Sequence, residues 1–392
     1  MVVYTNRNRT DPSPRRASEP EAEFYERVAG PYWDQVREVI NEWVSHFPEH
    51  SRSGLLSRLL DRNSDANVYS ALWELYLHEM LLGSGCTVQV EQSLGSRGKS
   101  PDFLVTRDDR QFVIEAIWTA QRIGDMTSGA LTPSLIDAIE SVPSPNFYLA
   151  VSVNQAGSAA PSQKRLKAGL IRWLAALDPD RFLADRDRHD MPLSAHVWRE
   201  AGWSVSSRAI PRSIENRGLP SNGTIGFYPA LAWFDSGSSL VFDAVRKKGK
   251  KYGDLSLPFV VAVGNASGFP EERDTERSLY GNLVERDHAG GASTLYRRAD
   301  GYWTTAHAQG RERVSGVLIV DNPAPWTWTI NTPVLWRSPN PNSIEAPTLP
   351  TWATVRLVGD QVERQPPAAP GHTAVGLAEQ WPLGDAFPRQ VD

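Results

Sequence analysis

The chain has almost no sulfur chemistry available to it. Cys86 is its single cysteine in 392 residues, so an intramolecular disulfide is excluded and a reducing, cytoplasmic setting is expected. Cys86 stands in Gly-Cys-Thr-Val at a strand start, where it reads as a small buried residue. Histidine is sparse, with eight scattered residues, and His78-Glu79 lacks the second histidine of a zinc helix motif. A zinc centre is therefore not expected. No apolar run is long enough to cross a bilayer, so no membrane role is expected. The Arg-, Asn- and Pro-rich start does not read as a secretory signal. Excess positive charge is missing too: the formal net charge is -5, which excludes a broadly basic protein and leaves room for a local basic groove. There is no Gly-x-Ser-x-Gly elbow, no Ser/His/Asp arrangement, no internal repeat and no heptad run.

Hydrophobic residues make up 40% of the chain, enough for a sizeable core, and 14 tryptophans crowd toward its C-terminal half. Residues 1–22 are polar and read as a disordered tail. Residues 23–67 follow as N-terminal helices, with Trp33, Val36, Val39, Ile40, Trp43 and Val44 at helical spacing. Val68–Leu82 reads as an amphipathic helix. Three strands are expected next, at Thr87–Glu91, Asp102–Thr106 and Gln111–Trp118, with Asp108-Asp109 as a hairpin turn. Helices at 132–142 and 161–177 flank a fourth strand at 146–153, which can join the first three after a helical crossover. Residues 178–360 read as a C-terminal α/β extension or second domain, with 178–192 as the best linker. Residues 361–392 read as an irregular tail.

Three acids stand out. Asp102 and Glu115 lie on adjacent expected strands, and Glu74 lies on the helix before them. An acid inside an apolar strand costs several kcal/mol, by order of magnitude, unless something pairs with it. A divalent cation is one such partner. Gly98-Lys99-Ser100 invites a phosphate-loop reading, but Ser93 stands where that motif needs glycine, and a strand follows where it needs a helix. The densest basic run is Arg246, Lys247, Lys248, Lys250 and Lys251, followed by Tyr252. It reads either as cations offsetting a helix C-terminal dipole or as phosphate contacts.

Glu74, Pro101-Asp102 and Glu115, set in an α-β-β-β-α-β order, resemble the PD-(D/E)XK nuclease superfamily over residues 68–177. The resemblance implies a restriction-endonuclease-like mixed central sheet flanked by helices, an α/β (α+β) fold, and the residue content adds a Trp/Pro-rich C-terminal extension. It also implies Mg²⁺- or Mn²⁺-dependent hydrolysis of DNA phosphodiester bonds, as in bacterial restriction, defence and repair enzymes. Asp102 and Glu115 would be metal ligands and Glu74 would assist. A homodimer that cuts both strands is implied, or a partner subunit that completes the site. The chain departs from the family where the motif lysine should stand, which here is Ile117. Gln121 is the nearest polar stand-in, with Lys99 and Lys164 behind it. Lys99, Lys247, Lys248, Lys250 and Lys251 are the expected nucleic-acid contacts. The alternative is a nuclease fold kept without catalysis, as a nucleic-acid-binding or protein-interaction module.

Overall fold

Apolar side chains recur around the whole circumference of the residue 65–83 segment, so a helix there has no face to give to solvent. The structure, a computed structural model, describes residues 2–93, 100–120, 132–180, 195–214, 217–218, 224–227, 236–252, 255–266, 272–287, 293–304 and 313–388. It divides the chain into two compact units, one formed by residues 1–13, 20–120 and 235–392, the other by 14–19 and 121–234.

In the first unit, α1 (Glu21–Arg27), α2 (Pro31–His46) and α3 (Glu49–Leu59) precede α4 (Asp65–Gly83), which is buried from Val68 to Leu81 on nearly every side. Ser64 caps α4 by accepting from the Asn67 N–H. Gly85 ends it at φ +77°, with Gly85 N–H on the Leu82 carbonyl and Cys86 N–H on that of Leu81. That pair of bonds needs the left-handed conformation glycine adopts freely. The chain then folds back and forth as β1 (Thr87–Val90), β2 (Phe103–Arg107) and β3 (Arg110–Ala120). Asp108 and Asp109, at φ +48° and +60°, make the tight β2–β3 turn as expected.

The second unit follows. It holds α5 (Pro133–Glu140), β4 (Phe147–Gln155), α6 (Gln163–Ala175), β5 (Ala195–Glu200), β6 (Trp203–Pro211) and β7 (Ile225–Phe227). Its sheet runs β5-β6-β4-β7, and its core gathers Leu135, Ile139, Leu149, Val151, Leu166 and Leu170.

The chain re-enters the first unit through α7 (Ser236–Lys248), β8 (Phe259–Ala266), α8 (Glu272–Tyr280), the hairpin strands β9 (Leu283–Asp287) and β10 (Ser293–Arg297), then β11 (Gly316–Asp321), β12 (Val334–Arg337), β13 (Ala353–Val358), β14 (Gln361–Gln365) and α9 (Gly371–Ala374). The large sheet is mixed, in the order β1-β2-β3-β8-β11-β12-β13-β14, with β3, β8 and β11 parallel. Side chains alternate between its faces along each strand. Ile114, Ala116, Val260, Ala262, Leu318 and Val320 pack with the N-terminal helices. Val113, Val261, Val263, Val317 and Ile319 pack under α7 and α8.

Several expectations are corrected. The strand at 147–155 does not join the first three. It pairs with β6 and β7, and the open edge of β3 is taken by β8. The linker expected at 178–192 falls largely outside the described residues, and the unit boundaries lie near 120 and 235 instead. The N-terminal tail is ordered over its described residues. Val3 and Tyr4 are buried, and Asn41 accepts from both of their N–H groups and donates to the Tyr4 carbonyl. The C-terminal stretch is ordered over its described residues, because β14 pairs with β13 and Trp381 stacks on Trp328. Among the described residues, no helix is long and apolar enough to cross a membrane.

Candidate functional site

Strand alternation decides where Glu115 points. It stands between Val113 and Ile117 and opposite Val261 of β8, so it shares their face of the sheet, under α7. It is fully buried there. A carboxylate in such a layer persists only with charged or hydrogen-bonding partners. The end of α7 supplies them. Lys248 Nζ lies 2.9 Å from Glu115 Oε2, Lys251 Nζ lies 2.7 Å from Oε1, and the Tyr252 hydroxyl donates to Oε1.

Asp102 precedes β2 by one residue. Its Oδ2 accepts from the Ala116 N–H at 2.7 Å, so its side chain continues the β2–β3 ladder one step past the last backbone pair. Lys248 Nζ also reaches this oxygen, at 3.4 Å. Asp102 and Glu115 therefore converge on one ammonium. Burial, reinforced by the Glu115 charge, pushes the Asp102 carboxyl up to about 6, against the opposing pull of Lys248. Burial alone would lower the Lys248 ammonium, but the Asp102 and Glu115 charges outweigh it and hold the group above its usual range. Tyr252 is raised by burial and by its bond to Glu115, so it stays a neutral donor.

Glu74 does converge on the neighbourhood, but with a cation of its own. Arg58 of α3 grips it with two parallel bonds, Nη1 to Oε1 at 2.5 Å and Nη2 to Oε2 at 2.6 Å. That bond and the nearby carboxylates raise the Arg58 guanidinium. A cavity of about 300 Å³ opens beside this pair, lined by His50, Arg58, Glu74, Glu91 and Asp102 among others.

The expected residues thus separate. Glu74, Asp102 and Glu115 belong to one neighbourhood. Lys99 and Gln121 lie outside the described residues. Lys164 is exposed on α6 of the second unit. The basic run divides by helical phase: Lys247 and Lys250 are exposed and make no ion pair among the described residues, whereas Lys248 and Lys251 turn inward onto Glu115. This corrects the reading of all four as surface phosphate contacts. The signal was present in the sequence. Val241, Ala244, Val245, Lys248 and Tyr252 recur at the spacing of a helix's buried face, and a lysine on that stripe needs a buried acid. Arg58 was missed as a partner because nothing local marks it, and Tyr252 because it reads as an aromatic following the basic run and not as a member of that stripe.

Among the described residues, no group of three or more His, Cys, Asp or Glu side chains is arranged to hold a metal ion. The oxygen donors that exist are nonetheless of the right kind for a hard dication. Among the described residues, Asp102 accepts its hydrogen bonds at Oδ2 and none at Oδ1, whereas both oxygens of Glu115 are engaged by protein donors. Asp102 thus keeps an oxygen that such an ion could take, whereas Glu115 would have to give up one of its donors. No protein-family profile, curated protein or solved structure matches the chain.

Proposed function

We propose that this chain is a metal-dependent nuclease of the PD-(D/E)XK type, hydrolysing phosphodiester bonds in DNA. One observation carries the reading: a single ammonium, Lys248 Nζ, stands within reach of both Asp102 and Glu115. This supports the reading because it resembles the acid–acid–lysine set of the family, with the lysine coming from α7 in place of the strand position occupied by Ile117. Gln121 is then not needed as its stand-in. Asp102 and Glu115 would hold Mg²⁺ or Mn²⁺. When bound, the ion supplies Lewis-acid charge and lowers the pKa of a water. Lys248 places positive charge where a phosphate gains negative charge and offers N–H donors to orient the attacking water. The Arg58–Glu74 pair keeps Glu74 in place on the cavity wall beside Asp102. Lys247 and Lys250 offer exposed cations to the DNA backbone. Bacterial defence or repair is the setting this chemistry suits, and a homodimer or a partner subunit would supply the second cut or the substrate.

A second reading has its own support. Glu115 is saturated by Lys248, Lys251 and Tyr252, as in a fold that keeps its geometry and binds without cutting. Supercoiled plasmid incubated with Mg²⁺ or Mn²⁺, against a chelator control, separates the two. The nuclease reading expects nicking or linearisation that falls by roughly 10²-fold or more in Asp102→Ala, Glu115→Ala and Lys248→Ala. Cleavage surviving in all three sinks it. Salt-dependent binding with no metal-dependent cutting selects the second reading.

A further inference from the structure

Lys251 carries more than charge to the buried glutamate. Its Nζ lies 2.7 Å from Glu115 Oε1 and 3.2 Å from the carbonyl oxygen of Ser100, two residues before Asp102. An ammonium has three N–H groups, so Lys251 holds both acceptors at once. Tyr252 reaches the same two oxygens but has one proton to give. A carboxylate oxygen is a stronger acceptor than a neutral carbonyl, so Glu115 takes that proton, and the Ser100 carbonyl depends on Lys251. Lys251 is half-buried, whereas its neighbour Lys250 is exposed.

We infer that Lys251 is a positioning residue: it ties the Ser100–Asp102 segment to Glu115 and so sets the spacing of the two carboxylates. The inference rests on the reading of Asp102 and Glu115 as the acting pair. It separates Lys251 from Lys247 and Lys250, which face solvent and touch neither carboxylate.

The Ala116 amide reports on Asp102 directly, because its hydrogen bond goes to the Asp102 side chain. The Val113 amide, bonded to the Pro258 carbonyl on the other side of β3, serves as the internal reference. Amide hydrogen exchange followed by NMR on the full chain, metal-free, compares wild type with Lys251→Met. The expected result is exchange at Ala116 faster by about tenfold with Val113 unchanged. Unchanged exchange at Ala116, or an equal rise at both amides, overturns the inference. Lys251→Leu, which also removes every N–H donor, provides the same comparison should the methionine variant fold poorly.

A second arm measures binding to a DNA duplex across a salt series. Lys251→Met leaves the salt slope unchanged, while Lys250→Met reduces it by about one. A reduction of about one in Lys251→Met would make Lys251 a phosphate contact and overturn the positioning role. If the wild-type chain neither binds nor cuts DNA, the nuclease reading falls, and the amide comparison still decides the role of Lys251.

Discussion

Glu115 and Glu74 each face a cation, and the two pairs are built in opposite ways. Glu74 meets Arg58 across two consecutive helices, 16 residues apart in sequence, in a two-pronged bond at the rim of a cavity. Glu115 meets Lys248 across 133 residues, with most of the second unit (121–234) between them in sequence, and is fully buried. The first pair is a local neutralisation that can form as soon as α3 and α4 pack. The second exists only once β3, β8 and α7 are assembled. Exposure sets the energetics: water screens the rim pair, whereas nothing but protein compensates the buried one.

The sharpest way to break this contrast is to remove the buried cation. Lys248→Met leaves Glu115 with Lys251 and Tyr252 alone. Stability should fall by about 2–4 kcal/mol, since a buried charge loses a partner that it cannot replace with water. Chemical denaturation of the metal-free protein measures this. The double variant Lys248→Met, Glu115→Gln should recover much of the loss, because the uncompensated charge is then gone. A Lys248→Met protein as stable as wild type would mean that Glu115 does not rely on that ammonium.

This pairing also shows what the sequence could tell. The α4 helix, the β1–β3 meander, its Asp108-Asp109 turn and the Pro101-Asp102 and Glu115 positions follow from local periodicity and turn chemistry, and all lie in one stretch. The partner of β3 was not legible there. Phe259–Ala266 and Phe147–Gln155 are both short, apolar, strand-like runs, and nothing in their composition says which one lies beside β3. Only long-range packing decides, and it favours the later strand, leaving the earlier one to build the second unit's sheet. The lysine was hidden for a related reason. Read as a charge run, residues 246–251 look solvated. Read by helical phase, they divide into an outward pair and an inward pair. Val3 and Tyr4 were overlooked because two apolar residues in a polar stretch carry no period.

Asp102 offers a smaller test, in pH. Its carboxyl titrates near 3.8 in an unfolded chain and is raised to about 6 in the folded protein. Between these values the folded state holds a proton that the unfolded state has released, so stability is lost as pH rises through about 4 to 6 and then levels off. Ionised Asp102 therefore opposes folding at neutral pH. In metal-free buffer, Asp102→Asn should be more stable than wild type at pH 7.5, by an amount of order 1–2 kcal/mol, and the difference should vanish below about pH 4. Equal stability of the two proteins across that range would mean that neither burial nor the Glu115 charge destabilises ionised Asp102. Cleavage, which needs ionised Asp102 as a ligand, should decline below about pH 6 for the same reason.

The rim pair should respond more weakly. Arg58→Met leaves Glu74 beside a wet cavity, so denaturation should show a loss of about 0.5–1.5 kcal/mol, shrinking as salt is added. A loss as large as that of Lys248→Met would erase the distinction between the two pairs. Smallest of all in stability are the outward lysines. Lys247→Gln with Lys250→Gln removes two exposed cations that pair with nothing among the described residues, so stability should change by less than about 0.5 kcal/mol. Their effect should appear in binding instead. DNA affinity measured across a salt series should lose about two units of slope, because two fewer counterions are released. The inward pair is already committed to Glu115 and has no phosphate to release. An unchanged slope in the double variant would mean that the outward face of α7 never meets the backbone, and that the basic run serves the buried glutamate alone.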